Sequence, residues 1–224
     1  EAEQFSFELK DEAGEVIQTK KNDAEGNVTF DKLSYTATGT YSYTITEVQE
    51  EKAGYTFDTH TVKVTVTVAD NGDGTLTAEV DYEGEKTFKN AYEAKGEFQL
   101  QGEKQLIGRE FKAEDSFTFK VAGSENAPMP EKTEVTIEPT EGKTAEVSFG
   151  KIAYTEADAG KRYTYTVTEE QGNIGGISYD TTAHTVTVEV TDNGDGTLTV
   201  TPVYSDGEKL TVTNEYQTGS VDAQ

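Results

Sequence analysis

Three polar side chains stand where strands would be expected to bury apolar ones. Read at the two-residue period of a strand, GEFQLQGEKQLIGR (96–109) puts Phe98, Leu100, Gly102, Lys104 and Leu106 on one face. In RYTYTVTEE, Tyr163, Tyr165, Val167 and Glu169 share a face, and in KLTVTNEY so do Leu210, Val212, Asn214 and Tyr216. A lysine, a glutamate and an asparagine are thus each expected on the buried side of a strand. An isolated buried ion is costly, so such groups must pair, lose their charge or react. Each has a plainer reading on its own. A lysine on an apolar face snorkels at a strand end, a glutamate after TVT caps the strand, and an asparagine before Glu-Tyr starts a turn. All three together on inward parity favour a common site.

The elements that position them are expected to be strands. Thr, Val and Tyr abound, 21 Gly punctuate the chain, and an apolar share of 33% suits thin two-layer packing rather than a thick core. With 19 basic and 43 acidic side chains the net charge is −24, which argues against nucleic acid or an anionic membrane as partner. No apolar run reaches the length of a membrane span, so no membrane insertion is expected, and no signal peptide is read. Cys is absent, which excludes disulfides and thiolate metal sites.

Two copies of one unit follow each other. FSFELK (5–10) answers FTFKVA (117–122), and VTFDKLSYT (28–36) answers VSFGKIAYT (147–155). YSYTITE (41–47) answers YTYTVTE (163–169), and TFKNAY (87–92) answers TVTNEY (211–216). From Tyr41 to Tyr82 the offset is a constant 122 residues. The expected domains are therefore 1–94 and 95–216, with 217–224 as tail or linker. Each copy reads as six or seven short strands. The repeated DNGDGT, at 70–75 and 192–197, is expected to be a hairpin loop. The second copy carries about seven extra residues between Phe119 and Phe149, with Pro128, Pro130 and Pro139 among them, read as an exposed loop of little consequence for the core.

The order KQLIGR, FTFKV, YTYTVTE, YDT, DNGDGTLT, TNEY resembles the streptococcal pilin isopeptide-linkage repeat of Gram-positive pilin backbones and surface adhesins, related to CnaB-type domains. The resemblance spans nearly the whole chain, twice. It implies an all-β fold of two tandem Ig-like (CnaB-like) β-sandwiches. It also implies a spontaneous amide bond between a first-strand lysine and a last-strand asparagine, assisted by a buried acid. The matching positions are Lys104, Asn214 and Glu169 in copy two, and Glu47 and Asn90 in copy one. Copy one departs from the pattern, because only EAEQ precedes its FSF and no lysine holds the first-strand position. Lys10 is expected to face outward, and Lys95 lies beyond the last strand of the copy. No crosslink within copy one is expected, and a sheet edge should stand open there. That points either to a fragment whose upstream strand was lost or to a strand supplied by another polypeptide.

Burial makes the chemistry reasonable. A lysine removed from water becomes a neutral, nucleophilic amine, and a buried glutamate holds a proton. The protonated acid is expected to bond the asparagine carbonyl and to shuttle protons as ammonia leaves. The event happens once, so no turnover enzyme and no cofactor are expected. DNGDGT lacks the alternating acids and downstream glutamate of a calcium loop. His60 and His184 do not align, since His60 answers Thr182, and neither is read as a metal ligand. Asp58 and Asp180 recur in FDT and YDT. Backbone bonding is their default role, with an accessory role near the crosslink as the alternative. The repeated Tyr41, Tyr43, Tyr163 and Tyr165 are read as core.

The function these readings favour is a stalk or pilus-shaft module on a bacterial surface, with neighbouring repeats of the same surface protein as partners. The alternative is an adhesin domain recognising a host protein or glycan through its loops. No cell-wall sorting motif is read, which would put any anchor outside this sequence.

Overall fold

The computed structural model describes residues 2–219, so the end of the tail expected over 217–224 lies outside the described residues. The chain divides into two compact units, Glu1–Tyr92 and Glu93–Gln224. The strands of the first are β1 (Ser6–Lys10), β2 (Val16–Lys21), β3 (Gly39–Glu47), β4 (Tyr55–Thr56), β5 (Thr61–Asp70), β6 (Leu76–Glu83) and β7 (Ala91–Tyr92). Those of the second are β8 (Lys95–Ile107), β9 (Phe117–Gly123), β10 (Glu134–Ile137), β11 (Thr144–Thr155), β12 (Arg162–Glu169), β13 (Ile177–Ser178), β14 (His184–Asp192), β15 (Leu198–Tyr204) and β16 (Leu210–Tyr216).

Unit 2 is a two-sheet sandwich, with β10-β9-β12-β14-β15 facing β11-β8-β16-β13. Alternation along each strand supplies the core. Phe98, Leu100, Leu106 and Val212 come from one sheet, and Phe117, Phe119, Tyr165 and Val188 from the other, all buried. β8 lies at the centre of its sheet, antiparallel to β11 and parallel to β16. Gly102 pairs with Leu210 in that parallel register. A Cβ on Gly102 would stand 2.4 Å from Leu210 Cδ2 and 2.9 Å from its carbonyl oxygen, so only glycine lets the two strands approach this closely.

Both DNGDGT segments form the expected hairpin loops, closing Asp70 on Leu76 and Asp192 on Leu198. Gly72 and Gly74 take φ of 78° and 84°, and their counterparts Gly194 and Gly196 take 75° and 81°. Asp73 and Asp195 each accept from the backbone and hydroxyl of a threonine two residues on.

The insertion in copy two has more consequence than its proline content suggests. Its residues extend the connections on both sides of β10, which pairs with β9 at the sheet edge as β2 pairs with β1. Pro130 is buried, and the Pro128 carbonyl accepts the Tyr165 hydroxyl at 2.8 Å, with the Tyr154 hydroxyl 2.8 Å from the same group. The loop therefore closes one end of the core.

Unit 1 has one full sheet, β2-β1-β3-β5-β6, and of the facing layer only the two-residue pair β4-β7. Residues 28–35, which answer part of β11, have no regular structure. The cause is non-local. β11 is held along its length by β8, and among the described residues unit 1 has no counterpart of β8. Side chains substitute for the ladder in part. Gln18 bonds both the N–H and the C=O of Asp31, and Lys20 reaches the Asp31 carboxylate at 2.6 Å. The core thins accordingly. Tyr41 and Tyr43 are half-buried where Tyr163 and Tyr165 are buried, and Leu76 is 39% exposed where its counterpart Leu198 is 8% exposed.

Candidate functional site

In unit 2 the three polar residues meet inside the sandwich. Lys104 is in β8, Glu169 ends β12 in the opposite sheet, and Asn214 is in β16 beside β8. The side chains of Lys104 and Glu169 have no exposed surface, and Asn214 has none. Lys104 Nζ lies 2.8 Å from Glu169 Oε1 and 2.9 Å from Oε2. Asn214 Nδ2 donates to the same Oε1 at 2.9 Å. The rings of Phe117 and Phe119 lie 4.9 and 5.8 Å from Nζ, enclosing the amine in apolar surface.

Glu169 faces the amide nitrogen of Asn214 and not the carbonyl, contrary to expectation. The carbonyl Oδ1 accepts instead from the backbone N–H of Asp180 at 2.8 Å. A backbone N–H can only donate, so it fixes which end of the amide carries the oxygen. Sequence reasoning missed this donor because backbone groups leave no trace in residue type, although the recurrence of FDT as YDT marked its place. The Asp180 carboxylate also fulfils its default role, accepting from the backbone of Thr182 and Thr213. These bonds hold its pKa down at about 2 even though burial opposes them.

Burial sets the protonation of the pair. It pushes the Lys104 amine down, opposed by the bond to Glu169. It pushes the Glu169 carboxyl up, opposed by Lys104 and Asn214. Both shifts favour a neutral amine beside a neutral acid over an ion pair.

Unit 1 repeats the arrangement, but among the described residues no amine joins it. Glu47 is 4% exposed, and its Oε1 accepts from Asn90 Nδ2 at 2.6 Å. Asn90 Oδ1 accepts from the backbone N–H of Asp58 at 2.8 Å, as Asn214 does from Asp180. Glu47 Oε2 is buried without a hydrogen-bond partner. Burial raises the Glu47 carboxyl above its ordinary range, opposed chiefly by the Asn90 bond. Lys10 faces away, paired with Glu8 at 3.1 Å, and the exposed Lys95 pairs with Glu93 at 3.2 Å.

The two histidines do not align, yet each binds the equivalent aspartate. His60 Nδ1 lies 2.7 Å from Asp58 Oδ1, and His184 Nε2 lies 3.1 Å from Asp180 Oδ2 while its Nδ1 meets Asp206 at 2.6 Å. Among the described residues no group of three or more His, Asp or Glu has a metal-binding arrangement.

A family model described as FctA, Spy0128-like isopeptide containing domain, matches residues 1–93 and 100–217. Solved structures with detectable likeness include the major pilin of Streptococcus pyogenes, at 16% identity and a TM-score of 0.35 over 95% of this chain and 90% of that one. The T-13 major pilin of the same organism matches at 16% identity and a TM-score of 0.32, over 95% and 89% of the respective chains. Its T3.2 major pilin matches at 17% identity and a TM-score of 0.31, over 95% and 90%. No curated protein matches the chain.

Proposed function

The chain belongs to the Spy0128-like isopeptide containing domain family, a family of pilin domains, and from that premise we propose that it is a stalk or shaft module stiffened by a self-formed Lys104–Asn214 amide. The module works at the bacterial surface, in a pilus or cell-wall-attached stalk, with neighbouring repeats of the same surface protein as its partners. The observation that carries this reading is the single carboxylate oxygen shared by an amine and an amide, sealed between the first and last strands of unit 2.

The steps follow from the geometry. Glu169 takes a proton from Lys104, leaving the neutral amine that burial favours. The Asp180 N–H polarises the Asn214 carbonyl and stabilises the negative charge that grows on Oδ1 during attack. The amine nitrogen bonds to Cγ as the bond from Cγ to Nδ2 breaks. Glu169 Oε1 lies within hydrogen-bond reach of both nitrogens, so it passes the proton from the attacking nitrogen to the departing one. Ammonia leaves, and two buried polar groups become one neutral amide. There is no turnover, because the product is the protein itself.

The mechanical consequence follows from the strand order. β8 and β16 are parallel neighbours, so tension between the start of the one and the end of the other shears them past each other. A bond from Lys104 to Asn214 carries that load directly, and the sheets between them are bypassed. Intact-protein mass tests the reading. The unmodified chain should weigh one ammonia less than its sequence, and Glu169→Ala should weigh the full amount. The full mass for the unmodified chain would overturn the proposal.

A further inference from the structure

We propose that His184 is a positioning residue for the Lys104–Asn214 reaction: its ring holds the Asp180 loop so that the Asp180 N–H stays on the carbonyl that the amine attacks. This role rests on the reading above for the reaction itself and adds the device that aims its carbonyl donor.

A backbone N–H stabilises charge on a carbonyl oxygen only while its own peptide is held in place. Asp180 lies between β13 and β14, in neither strand, so bonds to its side chain must hold it. Its Oδ1 accepts from the Thr182 N–H at 2.8 Å. Its Oδ2 accepts from the Thr213 N–H at 3.2 Å, which fastens the loop to β16 one residue before Asn214. His184 adds the remaining tie. Its Nε2 lies 3.1 Å from the same Oδ2, and its Nδ1 lies 2.6 Å from Asp206 Oδ2. With a pKa of about 2 the Asp180 carboxylate is ionised and can only accept, so Nε2 donates to it. The ring is buried, and it links the loop before β14 to the turn before β16.

Unit 1 builds the same bridge from a different position. The Asp58 N–H bonds Asn90 Oδ1, and Asp58 Oδ2 accepts at 2.8 Å from the N–H of Lys89, one residue before Asn90. The constant offset puts Val62 in the place of His184, where it is buried, and His60 in the place of Thr182. His60 supplies the ring. Its Nδ1 meets Asp58 Oδ1 at 2.7 Å, and its Nε2 lies 2.9 Å from the Glu85 carbonyl oxygen. Glu85 and Asp206 belong to matching turns, EGEK (83–86) and DGEK (206–209). Each imidazole therefore joins the aspartate that serves the asparagine carbonyl to the turn that leads into the asparagine strand. Packing alone does not call for a histidine at 184, because the fold holds a valine at that place in unit 1. What the two units share is the bridge and not the position of the residue that makes it.

The test follows ammonia loss by intact mass in the whole chain after cell-free synthesis. It compares the unmodified sequence with His184→Val and with the double variant His184→Val/Thr182→His, which moves the ring to the place it holds in unit 1. His184→Val should slow the loss about tenfold to a hundredfold, because the carbonyl donor is no longer held on Oδ1. The relocated histidine should restore most of the rate. Arg109→Ala, which weakens unit 2 without bonding to this loop, should leave the rate unchanged. An unchanged rate in His184→Val, equal slowing in Arg109→Ala, or a double variant that folds but stays slow overturns the inference. If His184→Val alone does not fold, the double variant decides, a restored rate supporting the bridge and a slow or unfolded product overturning it. If the unmodified chain loses ammonia and His184→Val loses it equally fast, only this inference falls; if the unmodified chain loses none, the reading beneath falls as well.

Discussion

Lys104 Nζ and Asn214 Nδ2 contact the same oxygen, Glu169 Oε1, at 2.8 and 2.9 Å. The relationship depends on three backbones. β8 and β16 are parallel neighbours whose register pairs Lys104 with Val212, so Asn214 lies two residues further along the same face. β12 brings the carboxylate from the opposite sheet. The side chains of the amine, acid and amide are fully buried, and the proposed reaction would remove the unfavourable burial that an ion pair retains.

Lys104→Met should remove the nucleophile while keeping the packing, because the thioether chain has a similar volume and no charge. The bond would close a loop of about 110 residues, and by analogy with a disulfide its loss lowers the stability of unit 2 by about 4–5 kcal/mol. Thermal unfolding and protease resistance report it. An unchanged melting transition would show that the bond does not contribute to equilibrium stability.

Much of this site was legible in the sequence, because parity along a strand is a local property. Lys104, Glu169 and Asn214 each broke an apolar alternation that their neighbours kept, and Phe7 and Leu9 turned Lys10 outward in the same way. What was not legible is non-local or belongs to the backbone. VTFDKLSYT and VSFGKIAYT have nearly the same pattern, yet only the second is a strand, because only it has β8 to pair with. The Asp180 N–H has no side-chain signature. The convergence of His60 and His184 on equivalent aspartates came from different sequence separations, which alignment of the copies cannot show.

Gly102→Ala tests how closely β8 and β16 must approach. The added methyl meets both the side chain and the carbonyl of Leu210, so the strands must separate locally. Overpacking of this kind costs about 1–3 kcal/mol. The separation also displaces Lys104 from Asn214, so crosslinking should slow. A time course of ammonia loss during refolding would measure it, and an unchanged rate would show that the contact is accommodated elsewhere.

Arg109→Ala should destabilise unit 2 without preventing the bond. Arg109 follows β8 and grips Asp115 with two bonds of 2.6 and 2.7 Å, while its guanidinium covers the Tyr216 ring. Asp115 is 1% exposed, and removing its cation leaves a buried charge, at a cost of about 3–5 kcal/mol. In the unmodified chain the Arg109 bond, aided by the Lys112 N–H, holds the Asp115 carboxyl below its ordinary pKa, although burial opposes this. The folded value is the lower one, so this stabilisation is present above the unfolded pKa and is lost as pH falls through the folded one. Acid titration of the unit 2 melting temperature should therefore flatten in Arg109→Ala. A parallel pair of curves would show that the ion pair contributes nothing to the acid response.

Glu47→Gln should stabilise unit 1 at neutral pH. Glu47 is buried beside Asn90, its Oε2 has no hydrogen-bond partner among the described residues, and burial raises its carboxyl above the ordinary range. An acid whose folded pKa is the higher one stabilises the fold fully below its unfolded pKa. That contribution disappears as pH rises through the folded value. At neutral pH the unmodified unit must therefore either hold a proton against the solvent or bury a carboxylate, and both are unfavourable. Glutamine keeps the shape and offers its carbonyl to Asn90 Nδ2 in place of Oε1. Its N–H₂ takes the place of the unpartnered Oε2 and carries no charge. The expected result is a higher unit 1 melting temperature at pH 7 and a smaller fall between mildly acidic and neutral pH. A substitution that lowers the neutral-pH stability and leaves the slope intact would show that Glu47 is stabilised by something other than Asn90.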